Sequence, residues 1–292
     1  MVQVDKIGSR RAMLGEGPLW DPVSASLYWL DSMRGLIVRN GADGIEREWR
    51  IAGALIGSMT VRKAGGAVVA LDDGFYAFDF ETGDLQPIAL PERGNTSVRF
   101  NDGKVDRQGR FLAGTSVRAG VQEARAKLYR LGTDLQADEV ESDLHISNGP
   151  CFSPDGGRFY FGDSLRRRVW AYEYDRDSGT PHDRRLFFDA ALHGALNDGA
   201  TVDAEGCLWV ALVTVGRVLR ITPQGRIDRT LEMPVPHPTS VMFGGPGLDT
   251  LFVTSLRETP SGRLKATDPL SGSLFAVQGL GVHGIAETRF GA

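Results

Sequence analysis

Apolar residues along this chain come in short runs separated by Gly- and Asp-containing turns, and a helical period is almost absent. The stretch 197–212, NDGATVDAEGCLWVAL, shows the unit most clearly. A polar lead, Asn197-Asp198-Gly199, precedes a short strand ending at Val202 to Asp203. Ala204-Glu205-Gly206 makes a tight turn, and Cys207 to Leu212 supplies the apolar, aromatic and β-branched residues of a second strand. The same pattern begins at Gly17 (GPLWDPVSASLYWLD), Ser58 (SMTVRKAGGAVVALDD), Asp102 (DGKVDRQGRFLAGT), Gly149 (GPCFSPDGGRFYFGDS), Asp198 and Ser240 (SVMFGGPGLDTLFVTS). These starts lie roughly 40–50 residues apart, the repeat length of a four-stranded propeller blade.

A third strand follows each hairpin, at Leu36 to Arg39, Gly74 to Asp79, Lys127 to Leu131, Arg168 to Tyr174, Gly216 to Ile221 and Ser273 to Val277. The last repeat lacks a fourth strand, and the alternating segment Val2 to Ile7 can supply it. The pattern therefore predicts an all-β fold: a six-bladed β-propeller with four-stranded blades around a central channel, one domain over residues 1–292. Ala119 to Lys127 is the best candidate for a helical turn.

Composition narrows the function classes. The 292 residues are 41% hydrophobic and 24% charged, with a formal net charge of −4, which fits a globular protein without a basic footprint for nucleic acid. No apolar run reaches the roughly 18 residues of a membrane span. Met1 to Arg11 has no apolar signal-peptide core, so a cytoplasmic location is expected. Cys151 and Cys207 fall in the early parts of neighbouring hairpins and read as structural thiols.

The repeat concentrates chemistry at one end of the channel. In a propeller the first strand of each blade lines the channel, so the residues leading into those strands share one mouth. Aligning the hairpins on Trp20, Val61, Val105, Phe152 and Val202 places Glu16, Gly57, Asn101, Asn148 and Asp198 at the leading position, with Pro238 or Thr239 in the sixth repeat. Asp-Gly and Asn-Gly are also ordinary turn formers, but Glu16 fits that role poorly. Two carboxylates converging with two amides repel unless a cation or proton lies between them, and a hard-oxygen site for a divalent ion resolves this.

Other motifs carry less. The five histidines, His145, His182, His193, His237 and His283, show no zinc spacing and read as loop residues. There is no G-x-S-x-G elbow, and GLGVHG at 279–284 has no room for a following helix. Arg166-Arg167-Arg168 lies in a hairpin loop on the mouth side, where it can favour an anionic substrate.

The segments LGEGPLWD (14–21), RFNDGKVDRQGRFLAGT (99–115), ISNGPCFSPDG (146–156), NDGATVDAEGCLWVAL, FGGPGLDTLFVTSLR (from 243) and GLGVHGIA (from 279) together resemble the SMP-30/gluconolactonase/LRE family, in family order over nearly the whole chain. The resemblance implies a six-bladed propeller holding a single divalent metal on Glu16, Asn148 and Asp198. It also implies substrate contacts from Arg99 and Asn101, and from Glu123 in the blade-three loop. The expected activity is hydrolysis of a sugar-acid lactone, with Asp198 both a ligand and the general base, and the metal one of Ca, Mg, Mn, Zn or Fe. Another metallohydrolase activity on aryl esters or phosphoesters, or a non-catalytic calcium-binding role, remains as an alternative.

Overall fold

The computed structural model describes residues 1–291. They form six four-stranded antiparallel sheets, and the strands of each sheet follow one another in chain order except where the ring closes. Blade one runs from Gly15 to Arg50, blade two from Ser58 to Ala89, blade three from Val98 to Leu144, blade four from Ser147 to Asp189 and blade five from Asn197 to Glu232. Blade six takes its three inner strands from Pro238–Gly244, Thr250–Ser255 and Leu274–Gln278. Its outer strand is Gln3–Ile7, paired antiparallel from Gln3 opposite Gln278 to Ile7 opposite Leu274. The expected closure by the N-terminal segment is thus present, and it removes the exposed edge that the last blade would otherwise leave.

The alternation of the strands explains how the ring holds together. The apolar core is divided into wedges between neighbouring blades. Tyr28, Leu30 and Ile37 of blade one pack with Met59, Val61 and Val69 of blade two. Phe152, Phe159 and Phe161 of blade four pack with Leu112 and Leu128 of blade three. Trp209 and Val218 of blade five pack with Phe243, Val253 and Phe275 of blade six. Each blade buries both faces against its neighbours, and the outermost strands are charged and exposed, as at Glu46–Arg50.

Several details differ from the sequence expectations. Residues 118–125 form no helical turn; the helical pieces are single 3-10 turns at Ser32–Arg34 and Ala190–His193. Cys151 lies within the inner strand of blade four, whereas Cys207 sits in the hairpin turn before the second strand of blade five, so the two are not equivalent. Both are buried free thiols, as expected of structural cysteines. His182 lies in the outer strand of blade four (Thr180–Asp189) rather than in a loop.

The inner strands share an irregularity that aims the site. The pairing register shifts between Glu16 and Leu19, Phe100 and Gly103, Asn148 and Cys151, Asn197 and Ala200, and Pro238 and Val241. Such bulges bend the strand and re-aim a side chain that would otherwise alternate strictly. Blade two, whose leading residue is Gly57, pairs without a shift. Glycine is required at two of the bulges: Gly17 and Gly149 have φ of +50° and +61°. A Cβ on Gly149 would also lie 2.9 Å from the carbonyl oxygen of Asp198 on the next blade.

A candidate metal and substrate site at the channel mouth

The bulged leading residues converge on one cavity of about 580 Å³ at the mouth of the channel, with Glu16, Arg99, Asn101, Asn148 and Asp198 all in its wall. Four of these come from four different blades at the same position of the repeat, and Arg99 stands two residues ahead of Asn101. Thr239 does not join them. Its hydroxyl donates to the Gly15 carbonyl oxygen at 2.5 Å, so blade six supports blade one instead of supplying a donor.

Three of the leading residues are positioned from behind. In blade one, Asp31 accepts from the backbone N–H groups of Met13 and Leu14. Asp163 in blade four accepts from His145 at 2.9 Å and Ile146 at 3.3 Å, and Thr214 Oγ1 in blade five accepts from Leu196 at 2.9 Å. Leu14, Ile146 and Leu196 stand two residues before Glu16, Asn148 and Asp198, and with Leu55 of blade two they line the cavity as an apolar collar. The sequence reading passed over this collar, although its signal, an apolar residue two places ahead of each leading position, is present in four repeats.

The amides are oriented by one another. Asn148 Nδ2 donates to Ser164 Oγ at 2.8 Å, and its Oδ1 accepts from Asn101 Nδ2 at 2.8 Å. Asn101 Nδ2 donates also to the Ser147 carbonyl oxygen at 2.9 Å, which uses both of its protons. Asp102, also overlooked in sequence, points its Oδ2 to the Gly149 N–H at 2.9 Å and so fastens blade three to the bulge beside Asn148.

Electrostatics make the site cation-ready. Burial, and then the charge of Asp198 followed by that of Asp102, push the Glu16 carboxyl well above the usual carboxylate range. Burial, and then Asp102, raise Asp198 likewise. Arg99 opposes both shifts without cancelling them. Among the described residues no three His, Cys, Asp or Glu side chains gather as a metal cluster, and the oxygens that an ion at this mouth would meet are those of the carboxylates Glu16 and Asp198 and of the amides Asn101 and Asn148. That all-oxygen donor set suits a hard divalent cation, whose charge would replace the protons that the buried pair otherwise retains. The residues present therefore fit the implied metal.

Glu123 is not brought to the cavity. It is exposed and paired with Arg125 at 3.2 Å, while the same loop turns Arg118, Val121 and Gln122 to the wall. Loop conformation decides this, and no repeat fixes it. His145 does line the cavity, with Nδ1 3.3 Å from Asp163. The 164–167 turn brings Ser164 and Leu165, but neither Arg166 nor Arg167, to the wall.

Residues 14–257 match the SMP-30/gluconolactonase/LRE-like region. The chain is 34% identical to regucalcin of Xenopus laevis over 99% of its own length and 98% of the relative's. It is 37% identical to the 6-deoxy-6-sulfogluconolactonase of Pseudomonas putida, over 96% and 95% of the two chains. A luciferin-regenerating enzyme superposes with a TM-score of 0.92 at 28% identity over the whole of both chains. A calcium-binding protein, regucalcin, from Agrobacterium tumefaciens superposes with a TM-score of 0.90 at 27% identity, covering 98% of this chain and 97% of the other. No helix among the described residues is long and apolar enough to cross a membrane. With its leading residues gathered as the repeat demands, the chain belongs to the SMP-30/gluconolactonase/LRE-like family.

Proposed function

We propose that the protein is a divalent-metal-dependent hydrolase of a sugar-acid lactone. The observation that carries this reading is the meeting of two buried carboxylates and two mutually oriented amides in one cavity wide enough for a sugar ring. The name of the Pseudomonas relative, a lactonase, supports the same reaction class.

Glu16, Asn148 and Asp198 would hold the ion, which when bound supplies Lewis-acid polarisation of a carbonyl and positive charge for a developing oxyanion. Asp198 would also take a proton from the water that attacks the lactone carbon. As the ring C–O bond breaks, the same carboxyl returns the proton to the departing ring oxygen, giving the hydroxy acid. Asn101, its amide protons already used, offers Oδ1 to a ring hydroxyl, and Arg99 adds a fixed guanidinium beside it. The apolar collar of Leu14, Leu55, Ile146 and Leu196 holds the ring and thins the water around it.

The test is proton release over a panel of aldonolactones, with chelator and with metal restored. Hydrolysis is expected to vanish in EDTA and return with a divalent ion. Asp198→Asn preserves an oxygen ligand and removes the base, so turnover at saturating metal should fall by on the order of 10²-fold or more. A metal-loaded Asn variant within about threefold of wild type would make Asp198 a ligand only and place the base elsewhere.

A further inference from the structure

The loops over the mouth are unequal, and their charges are one-sided. The connection between the second and third strands has four residues in blades one, two, four and five (32–35, 71–74, 164–167, 213–216). It has eight in blade three (118–125) and 18 in blade six (256–273). Blades three and six face each other across the ring. Each of the two long loops sends one arginine to the cavity wall, Arg118 from one and Arg263 from the other. Their three carboxylates point elsewhere: Glu123 pairs with Arg125, Glu258 with Lys265, and Asp268 accepts from the N–H groups of Leu270 and Ser271, and none lines the cavity.

Below them, the collar position that is Leu14, Leu55, Ile146 and Leu196 in other blades is Arg99 in blade three. Arg99 is only 9% exposed, and Nη1 donates to a neutral acceptor, the Phe100 carbonyl oxygen, at 2.8 Å. Burial depresses its protonation first, Glu16 opposes that, and Arg118 lies close enough to add to the depression. Arg118 is paired with Asp72, and Arg263 has no carboxylate partner among the described residues. The wall thus carries two carboxylates, Glu16 and Asp198, which a divalent ion neutralises. Arg99, the buried one, then keeps only the charge of Asp72, which Arg118 already pairs, while Arg263 is exposed to solvent and has no carboxylate partner among the described residues. A buried guanidinium without an anion is costly, and a bound anionic group supplies what is missing.

Granting the lactone reading above, we propose that the substrate carries an anionic substituent (phosphate, sulfonate or carboxylate) on the part of the sugar remote from the lactone carbonyl, and that Arg118, Arg99 and Arg263 receive it. Charge-assisted contacts of this kind are worth about tenfold or more in affinity.

The experiment compares glucono-1,5-lactone with its 6-phosphate, 6-deoxy-6-sulfonate and 6-carboxylate counterparts in the metal-loaded enzyme. The ratio of anionic to neutral kcat/KM should be about tenfold or more, should shrink with added salt, and should collapse in Arg118→Gln while Arg118→Lys keeps part of it. Arg263→Gln, on an exposed loop where folding is not at stake, should lower the same ratio. A second arm needs no hydrolysis: 1,5-anhydroglucitol and its 6-phosphate are titrated calorimetrically into the metal-loaded protein, and the phosphate should bind about tenfold tighter or better. If no lactone is turned over but the phosphate still binds preferentially, the lactonase reading fails and the anion site stands. Equal binding of the two anhydroglucitols, or a ratio unchanged in both arginine variants, overturns the anion site whatever the hydrolysis shows.

Discussion

Glu16 and Asp198 show how a fold can hold a charge problem open for a ligand. Burial is the largest cause of their raised protonation, so the carboxyls keep protons in the folded chain that the unfolded chain has released. For a carboxyl raised in this way, folded stability is present below the ordinary carboxylate range and is lost as pH rises through the raised value. The metal-stripped protein is therefore expected to melt at progressively lower temperature as pH rises above about 4. A divalent ion should restore most of the loss, and more of it at the higher pH, because it binds the ionised pair. Glu16→Gln removes one member of the pair. Melts in EDTA should then depend less on pH, and melts with metal should show a much smaller gain. A Gln variant with the wild-type pH slope and the wild-type metal response would remove Glu16 from the site.

The inner strand is the element on which the site is built, and its positioning comes from side chains that never reach the cavity. Asp31, Asp163 and Thr214 each hold a backbone N–H two or three residues ahead of a leading residue. Thr214→Val keeps the shape of the side chain and leaves the Leu196 N–H without its acceptor. An unmade hydrogen bond at a half-buried site costs about 1–3 kcal/mol. The expectation is a melting temperature lowered accordingly and a severalfold weaker metal affinity, read by calorimetry, with Thr214→Ser restoring both. The same elements explain what could be read in advance. Hairpins of similar length place Glu16, Asn101, Asn148 and Asp198 at one height, so a repeat alignment finds them. The long loops obey no repeat, which is why Glu123 was expected at the cavity and Arg118 and Gln122 were found there. Asp102 was hidden for a different reason: an Asp-Gly pair reads as turn chemistry, and only the bulge shows that its carboxylate reaches the next blade.

At the scale of the whole molecule, both chain ends close the ring, on different sides of the problem. The N-terminal strand completes blade six, while residues 281–291 run beneath the channel on the side opposite the site. Along this tail the His283 carbonyl oxygen accepts from the Ala204 N–H, Glu287 pairs with Arg107 at 3.0 Å, and Arg289 pairs with Asp21. Phe290 bonds through its backbone to Val61 and Lys63 and is buried among Val68, Phe75 and Phe111 of blades two and three. Glu287 and Thr288 also line a small cavity under Asp102 and Lys104, so the tail floors the channel below the site. The propeller thus opens to substrate at one end and is stitched at the other by a segment touching blades one, two, three, five and six. Phe290→Ala should cost about 3–5 kcal/mol, the usual loss for a large aromatic removed from a packed core. Because the lesion lies at the sealed end, kcat and metal affinity of the folded variant should stay within about twofold of wild type. Chemical denaturation and turnover measured on the same preparation check both halves. A variant as stable as wild type would show that the tail covers the channel without binding the blades, and a large fall in kcat with full metal occupancy would show that the floor of the channel shapes the site above it.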